Sequence, residues 1–339
     1  MSVNPRMQQA DEIQARDQWL DVARGLGIVL VVWGHVVRGL FNAGIAQPNL
    51  LGALDQVIYL FHMPLFFFLA GVNVERSRRH GDRAFVIGKL KTVAWPYLLW
   101  STFQLSVMLA LGAVVNTPVS VGDLLAIPWR PQAPFWFLYA LFASQMAVLL
   151  VPRNRVAWLA LALAAALATA WLPPAEILQR SAFGLLFVVL GMCGVAPRLA
   201  GWKMIALSVL GFALAAAVLV KPDFRLVWPI WTAPAAVLGV AATVSLSREI
   251  RGRAADVLAW LGSASMTIFV LHILVASGAR IVLHRLGIDQ VPVQIAVGVT
   301  AGLVGPCVAH VVLKRLGLLP WLGLGRGDPA KRLRVSGAV

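Results

Sequence analysis

Apolar runs of about twenty residues follow one another along nearly the whole sequence, and short segments between them carry most of the charges. A helix needs about twenty apolar residues to cross the hydrocarbon core of a bilayer. Hydrophobic residues make up 60% of the chain and charged residues 13%, against roughly a quarter charged in soluble domains. Such a chain lacks the polar groups to cover its surface in water, whereas in lipid a helix satisfies its own backbone. The sequence therefore predicts an all-α, polytopic membrane protein.

Ten transmembrane spans are predicted from these runs, near residues 19–41, 55–75, 90–115, 135–151, 156–172, 180–197, 203–220, 228–246, 257–279 and 292–316. They divide the chain into a cytoplasmic N-terminal arm (residues 1–18), a ten-helix transmembrane domain (residues 19–316) and a basic cytoplasmic tail (residues 317–339).

The distribution of Lys and Arg indicates the orientation of these spans, because cytoplasmic loops hold an excess of both residues. Of the 29 Lys and Arg residues, 21 fall in the arm, the tail, the alternate loops on the same side as both, or the span ends next to these loops and the tail, and 7 fall on the opposite side. We therefore expect both termini in the cytoplasm, and the plasma (bacterial inner) membrane as the location.

The formal charge of +15 does not predict nucleic-acid binding, because the basic residues form short clusters between apolar runs and no continuous stripe. Contact of these clusters with anionic lipid accounts for them. Cys193 and Cys307 both lie inside apolar runs, so no disulfide is expected. No HExxH motif, Cys/His cluster or group of carboxylates predicts a metal site.

Residues 20–39 (LDVARGLGIVLVVWGHVVRG) place ionisable side chains in one apolar helix. Arg24 and His35 are eleven residues apart, a rotation about 20° beyond three turns, so they share a face about 16 Å apart along the axis. Asp21 precedes Arg24 by one turn and could pair with it. An imidazole can act as a general base, and an arginine can hold a phosphorylated ligand. The pattern fits a long ligand with its charged head at Arg24 and its reactive end at His35. The alternative is a packing histidine and an arginine that extends to the membrane surface.

Other polar side chains in the spans are candidates for a pocket or for tuning that histidine. Asp55, Tyr59 and His62 form a polar stripe on the second predicted span, where helix packing is the alternative role. His272 in the ninth span is a candidate of the same kind. Trp136 and its aromatic neighbours could stack on a sugar or on the donor, although such residues commonly anchor a protein at the membrane interface.

The Arg24 to His35 spacing in its LDxxRG…GH setting resembles the membrane-bound acyltransferase-3 family, in particular its sugar O-acetyltransferase branch. The resemblance continues in order along the chain, through Phe61–Gly71 (FHMPLFFFLAG), Arg76–Arg79 (RSRR), Lys91–Trp100 (KTVAWPYLLW), Phe135–Leu138 (FWFL) and Leu271–His272 (LH). The Arg-to-His spacing together with the RxxR pattern is the specific part of this resemblance.

The resemblance implies transfer of an acyl group, usually acetyl from cytoplasmic acetyl-CoA, to a hydroxyl of a membrane-associated sugar, glycan or glycolipid. Acetyl-CoA or another acyl-CoA would be a co-substrate, and no permanently bound cofactor is expected. Carried over residue by residue, His35 becomes the catalytic histidine, acting as a base or carrying the acyl group. Arg24, Arg76 and Arg79 would bind the donor, because guanidinium groups suit the phosphates of CoA. The alternative for the basic cluster at residues 76–83 is a positive-inside orientation signal.

Two other functions compete with the enzyme. A transporter or exporter of a glycan or lipid intermediate could use the polar face of the first span, although the scarcity of intramembrane carboxylates disfavours proton coupling. A non-catalytic partner of a polysaccharide synthase would leave His35 replaceable. Turnover of an acyl-CoA distinguishes the enzyme from both.

Overall fold

The computed structural model describes residues 5–112, 119–132, 134–169, 176–194, 200–220 and 230–325, with residues 5–17 described as backbone alone. Most of the predicted tail, residues 326–339, lies outside the described residues. The helices are α1 (Pro5–Asn42), α2 (Leu50–Tyr59), α3 (His62–Val72), α4 (Val74–Ser77), α5 (Asp82–Lys89), α6 (Trp95–Leu111), α7 (Val121–Leu125), α8 (Trp136–Ala147), α9 (Arg155–Ala168), α10 (Glu176–Met192), α11 (Trp202–Leu219), α12 (Ala233–Glu249), α13 (Gly252–Ser263), α14 (Ser265–Arg285) and α15 (Val291–Leu316). No strand occurs in these ranges, which agrees with the predicted all-α class.

Six helical segments of the described chain are long and apolar enough to cross a membrane, so the protein is a polytopic helical membrane protein. They are Gln18–Asn42, Leu50–His80, Trp202–Leu219, Ile230–Glu249, Ser265–Arg285 and Val291–Leu316. The other four predicted spans overlap α6, α8, α9 and α10, whose lengths are 17, 12, 14 and 17 residues. α8 and α9 are too short for a straight crossing on their own, whereas α6 and α10 reach the lower limit of about 17 residues, and α6 is continued at its start by a π-helical turn over Leu90–Ala94. The count of ten remains a prediction.

The predicted ninth span, residues 257–279, is wrong in its bounds. The chain breaks at Ala264 between α13 and α14, and the membrane-length helix is Ser265–Arg285. The break falls in a short run of small residues, Gly262–Ser265 (GSAS), which lies between longer apolar runs, so average hydropathy over a span-length window does not reveal it. α13, before the break, packs directly against α1: a Cβ on Gly25 would lie 2.0 Å from the carbonyl oxygen of Leu258, and one on Gly262 would lie 1.9 Å from that of Asp21. These glycines allow the two backbones to touch.

α1 is the central helix of the bundle and packs against α2, α3, α12, α13, α14 and α15. Small residues bring α15 close to it. A Cβ on Gly298 would lie 2.9 Å from the Val36 side chain, and one on Gly302 would lie 2.8 Å from that of Val32. Because neighbouring helices surround α1, the polar groups on its inward face are held inside the protein, as groups within a membrane helix commonly are.

Candidate functional site

Three cavities lie along one face of α1. Arg24 lines the first, Ile28 and Val31 line the second, and His35 lines the third. These positions are spaced by four, three and four residues, which is the repeat of a single helical face. Cavities therefore lie along the helix face that Arg24 and His35 were predicted to share.

The first cavity, which we call the basic cavity, has a volume of about 770 Å³ and is lined by Arg24, Arg76 and Arg79 together. His80 and Lys89 add further basic groups to its wall. α4 ends at Ser77 and a 3₁₀ turn follows over Arg78–His80, yet Arg76 and Arg79 still reach the same space. The structure thus brings together the three arginines that the sequence analysis singled out as donor-binding.

Asp21 lies in the wall of the basic cavity and forms an ion pair with Arg24, with 2.7 Å between Oδ1 and Nη1. This is the pairing expected from their one-turn separation. The carboxylate orients the guanidinium, while Arg76 and Arg79 stay on the exposed side of the same cavity.

Arg78 differs from its basic neighbours because its side chain is buried and binds Asp82. Its Nε and Nη2 atoms donate to the two carboxylate oxygens at 2.9 and 3.1 Å. Arg153 adds a bond of 2.6 Å to the same carboxylate. The hydrogen bonds from Arg78 and Arg153 hold the pKa of Asp82 below its usual value. This cluster fixes the chain behind the basic cavity and leaves Arg76 and Arg79 to face it.

The second cavity, the apolar cavity, measures only about 70 Å³. It lies between α1, α3, α8 and α14, with Ile28, Val31, Phe66, Phe137 and Phe269 in its wall. Its size and lining suit a narrow chain and exclude a charged or bulky group.

The third cavity, the His35 cavity, has a volume of about 460 Å³ and is walled by α1, α6, α14 and α15. Apart from His35, its polar lining includes Arg38, Ser277, Arg280 and Gln294, and most of the remaining wall is apolar. This combination is typical of a small-molecule site, in which a few polar groups orient a ligand in an apolar pocket.

His272 of α14 lies against His35, with ring centroids 5.0 Å apart and ring planes at 59°. Its Nδ1 is 3.0 and 2.8 Å from the carbonyl oxygens of Ile268 and Phe269. A carbonyl oxygen only accepts, so Nδ1 carries the hydrogen and the buried Nε2 carries a lone pair. That Nε2 has no hydrogen-bond partner within the described part of the chain. The arrangement supplies an acceptor beside His35 that can orient its ring.

The polar stripe of α2 and α3 meets α1 through Arg38. Asp55 accepts from Arg38 Nε, with its two oxygens at 3.2 and 3.0 Å. The Arg38 guanidinium carbon lies 4.7 Å from the centre of the Tyr59 ring. His62 packs against Tyr59, with ring centroids 5.1 Å apart, and its Nδ1 donates to the carbonyl of Ile58 at 2.8 Å. The stripe therefore holds Arg38, which is part of the wall of the His35 cavity.

The sequence analysis gave no role to Arg38. The sequence does contain an indication of such a role. Arg38 follows His35 by one turn and lies at the end of an apolar helix, and Asp55 lies in the next span.

Trp136 lies away from this site, under the Arg180 guanidinium, with 4.6 Å between the ring centre and the guanidinium carbon. Trp136 lines none of the three cavities, whereas its neighbour Phe137 lines the apolar one.

By fold and by site, the protein is a polytopic helical membrane protein whose central helix carries a basic cavity, an apolar cavity and a histidine-lined cavity on one face. The chain belongs to the acyltransferase-3 family, because the family model described as an acyltransferase domain matches residues 17–311. This confirms the resemblance drawn from the Arg24 to His35 spacing.

Two curated relatives are both nodulation proteins named NolL. The protein from Mesorhizobium japonicum is 29% identical over 164 residues, which cover 46% of this chain and 42% of the relative. The protein from Sinorhizobium fredii is 29% identical over 136 residues, which cover 38% of this chain and 35% of the relative. The chain thus spans less than half the length of the curated relatives it matches. No solved structure matches it.

Proposed function

We propose that the protein is a membrane-embedded O-acyltransferase that moves an acyl group, expected to be acetyl, from acyl-CoA to a hydroxyl of a membrane-associated sugar, glycan or glycolipid. The observation that carries the proposal is the series of cavities along α1, from three arginines to His35, in a chain of the acyltransferase-3 family.

The basic cavity is proposed to bind the nucleotide end of the donor. Arg24, Arg76 and Arg79 present guanidinium groups to one space of about 770 Å³, and guanidinium groups bind phosphates through paired hydrogen bonds. From Arg24 to His35 the rise along the helix is about 16 Å, a distance suited to the extended pantetheine arm. The apolar cavity between them would take that arm, since only a narrow chain fits it.

The His35 cavity is proposed to hold the acceptor and the reacting thioester. As a general base, His35 removes the proton of the acceptor hydroxyl while its oxygen attacks the thioester carbonyl. The C–S bond then breaks, and His35 returns the proton to the thiolate, which leaves as the free thiol. As an acyl carrier, His35 itself would attack the thioester carbonyl, and the C–S bond would break as the thiolate leaves. The acceptor hydroxyl would then attack the acyl group, the bond from the acyl carbon to the imidazole nitrogen would break, and the proton lost by the hydroxyl balances the one that the thiolate takes up. In either route, His272 Nε2 can accept the other ring N–H of His35 and fix the ring.

We further propose ten spans with both termini in the cytoplasm, in the plasma membrane of a bacterium. The excess of Lys and Arg in alternate loops supports this orientation. It also puts the basic cavity on the cytoplasmic side, where acyl-CoA is made, and the His35 cavity toward the other side.

The test is release of free thiol from acetyl-CoA by the purified full chain in detergent, with wild type and His35→Ala compared. We expect slow turnover with water as acceptor, faster turnover when membrane glycolipids are added, and loss of both in His35→Ala. His284→Ala is the matched control, because His284 is exposed, pairs with Asp289 at 2.7 Å and lines none of the cavities. Binding of acetyl-CoA without thiol release, also with succinyl-CoA and longer acyl-CoA donors, contradicts the enzyme and favours a transporter or a non-catalytic partner.

A further inference from the structure

Arg38 is folded back along α1 toward the level of His35. A Cβ built on Gly34 would lie only 2.7 Å from Arg38 Nη2 and 3.0 Å from Asp55 Oδ1. The guanidinium therefore rests against the backbone of the residue that precedes His35, in space that a side chain at position 34 would fill. Arg38 and His35 also line the same cavity.

Two neighbours hold the Arg38 guanidinium, but one of its nitrogens, Nη2, has no hydrogen-bond partner among the described residues. Asp55 holds Nε, and Tyr59 stacks at 4.7 Å. Nη2 is buried and has no hydrogen-bond partner among the described residues. A buried donor without a partner is costly to a protein, so a held but unsatisfied N–H group on a residue that lines a cavity points to a ligand atom that accepts from it.

We propose that Arg38 donates a hydrogen bond from Nη2 to the oxyanion that forms on the acyl carbonyl during transfer at His35. When the acceptor oxygen bonds to the carbonyl carbon, the carbonyl π electrons move onto its oxygen, and Arg38 stabilises that negative charge. The electrons return as the C–S bond breaks, and His35 carries the proton from the hydroxyl to the departing thiolate. This inference rests on the proposed function and assigns its electrostatic component.

The contacts of Arg38 favour this role over general attraction of anions. Asp55 balances its charge, so Arg38 contributes a directed donor with little net positive charge. A donor held in place before the reaction needs no reorganisation as the charge develops, which is the property that makes oxyanion sites effective.

The experiment measures thiol release from acetyl-CoA by the full chain in detergent, with kcat and KM determined separately. Arg38→Gln is expected to lower kcat by about 10²–10³-fold, with the KM for acetyl-CoA within about twofold, because the charged end of the donor binds at the other end of α1. Millimolar methylguanidine should restore part of the rate of Arg38→Ala, which a purely structural role would not allow. Arg180→Gln is the matched control: Arg180 also has a carboxylate partner, Glu176 at 3.0 Å, and an aromatic ring at 4.6 Å, but lines none of the cavities.

Three results would overturn the role of Arg38. A kcat for Arg38→Gln within about threefold of wild type, a rise in KM alone, or an absence of rescue in folded Arg38→Ala overturns the assignment while His35→Ala stays inactive. If neither variant folds, Arg38→Lys is measured instead, with a kcat loss above about tenfold expected. If wild type and His35→Ala release thiol equally, the proposed function fails, and this inference fails with it.

Discussion

Gly34→Ala is expected to remove activity while leaving the protein folded. Position 34 lies inside α1 beside the Arg38 guanidinium, and the added methyl group would stand 2.7 Å from Nη2. Ordinary contact begins near 3.4 Å, so the guanidinium must retreat by about 0.7 Å. The change shifts the Arg38 donor and crowds Asp55 Oδ1, which would lie 3.0 Å from the methyl group, but it removes no ionisable group.

The size of the effect follows from that displacement. A misplacement of about 1 Å in a reacting arrangement can cost about 10²-fold in rate, so a shift of about 0.7 Å is expected to lower kcat by roughly 10- to 100-fold. Stability should change little. Alanine is favoured over glycine inside a helix by about 1 kcal/mol, and this gain offsets the disturbance of the ion pair between Arg38 and Asp55.

The assay is thiol release from acetyl-CoA, with thermal unfolding of the same samples as the measure of stability. Gly211→Ala is the matched control because Gly211 also lies inside a helix, α11, and its added Cβ would meet only the Leu238 side chain, at 3.1 Å. This control should keep the kcat of wild type.

The reasoning is refuted if Gly34→Ala keeps a kcat within about twofold of wild type. It is equally refuted if the loss of activity is matched by a large fall in the unfolding temperature, since the effect would then be structural. A loss of the same size in Gly211→Ala would show that any added methyl group is harmful, and that the position of Arg38 is not the cause.

Substitutions at three further residues test the basic cavity, the histidine pair and the carboxylate behind the basic cavity. Arg79→Glu should raise the KM for acetyl-CoA by more than about tenfold with little change in kcat, because a donor phosphate would meet a like charge; an unchanged KM contradicts the placement of the donor. His272→Gln should keep roughly tenfold more kcat than His272→Ala, because an amide oxygen can still accept from the His35 ring; equal rates would exclude an orienting role. Asp82→Asn should lower the unfolding temperature at neutral pH. Arg78 and Arg153 lower the pKa of Asp82. The contribution of Asp82 to the free energy of unfolding is therefore complete above the unfolded pKa of about 3.9 and is lost as the pH falls through the folded pKa. A difference in stability between variant and wild type that persists unchanged into acid contradicts this.

Much of the site could be predicted from local sequence because its parts lie on single helices. The shared face of Arg24 and His35 follows from the pitch of a helix. The RxxR spacing brought Arg76 and Arg79 to one cavity even though the helix changes to a 3₁₀ turn there. Two residues of one cluster, Arg76 and Arg78, nevertheless have opposite surroundings, since the first lines the cavity and the second is buried against Asp82.

Contacts between distant helices required the tertiary structure. The ring contact between His35 and His272 joins α1 to α14, and the ion pair between Arg38 and Asp55 joins α1 to α2. The place of Trp136 under Arg180, away from the cavities, likewise depends on how α8 and α10 pack.

The sequence by itself determined that this chain is an all-helical membrane protein, which residues share the inward face of the first helix, and the family to which it belongs. Hydropathy and helical period are sufficient for the first two conclusions, because they depend on solvent preference and on geometry within one element. The family follows from the resemblance of the motifs, above all the Arg24 to His35 spacing and the RxxR pattern. Only the tertiary structure decided which helices meet α1, where the chain breaks between α13 and α14, and that Arg38 stands beside His35. Apolar helix faces are chemically alike, so the choice of neighbours depends on side-chain shape and on close backbone contacts at glycines such as Gly25 and Gly262.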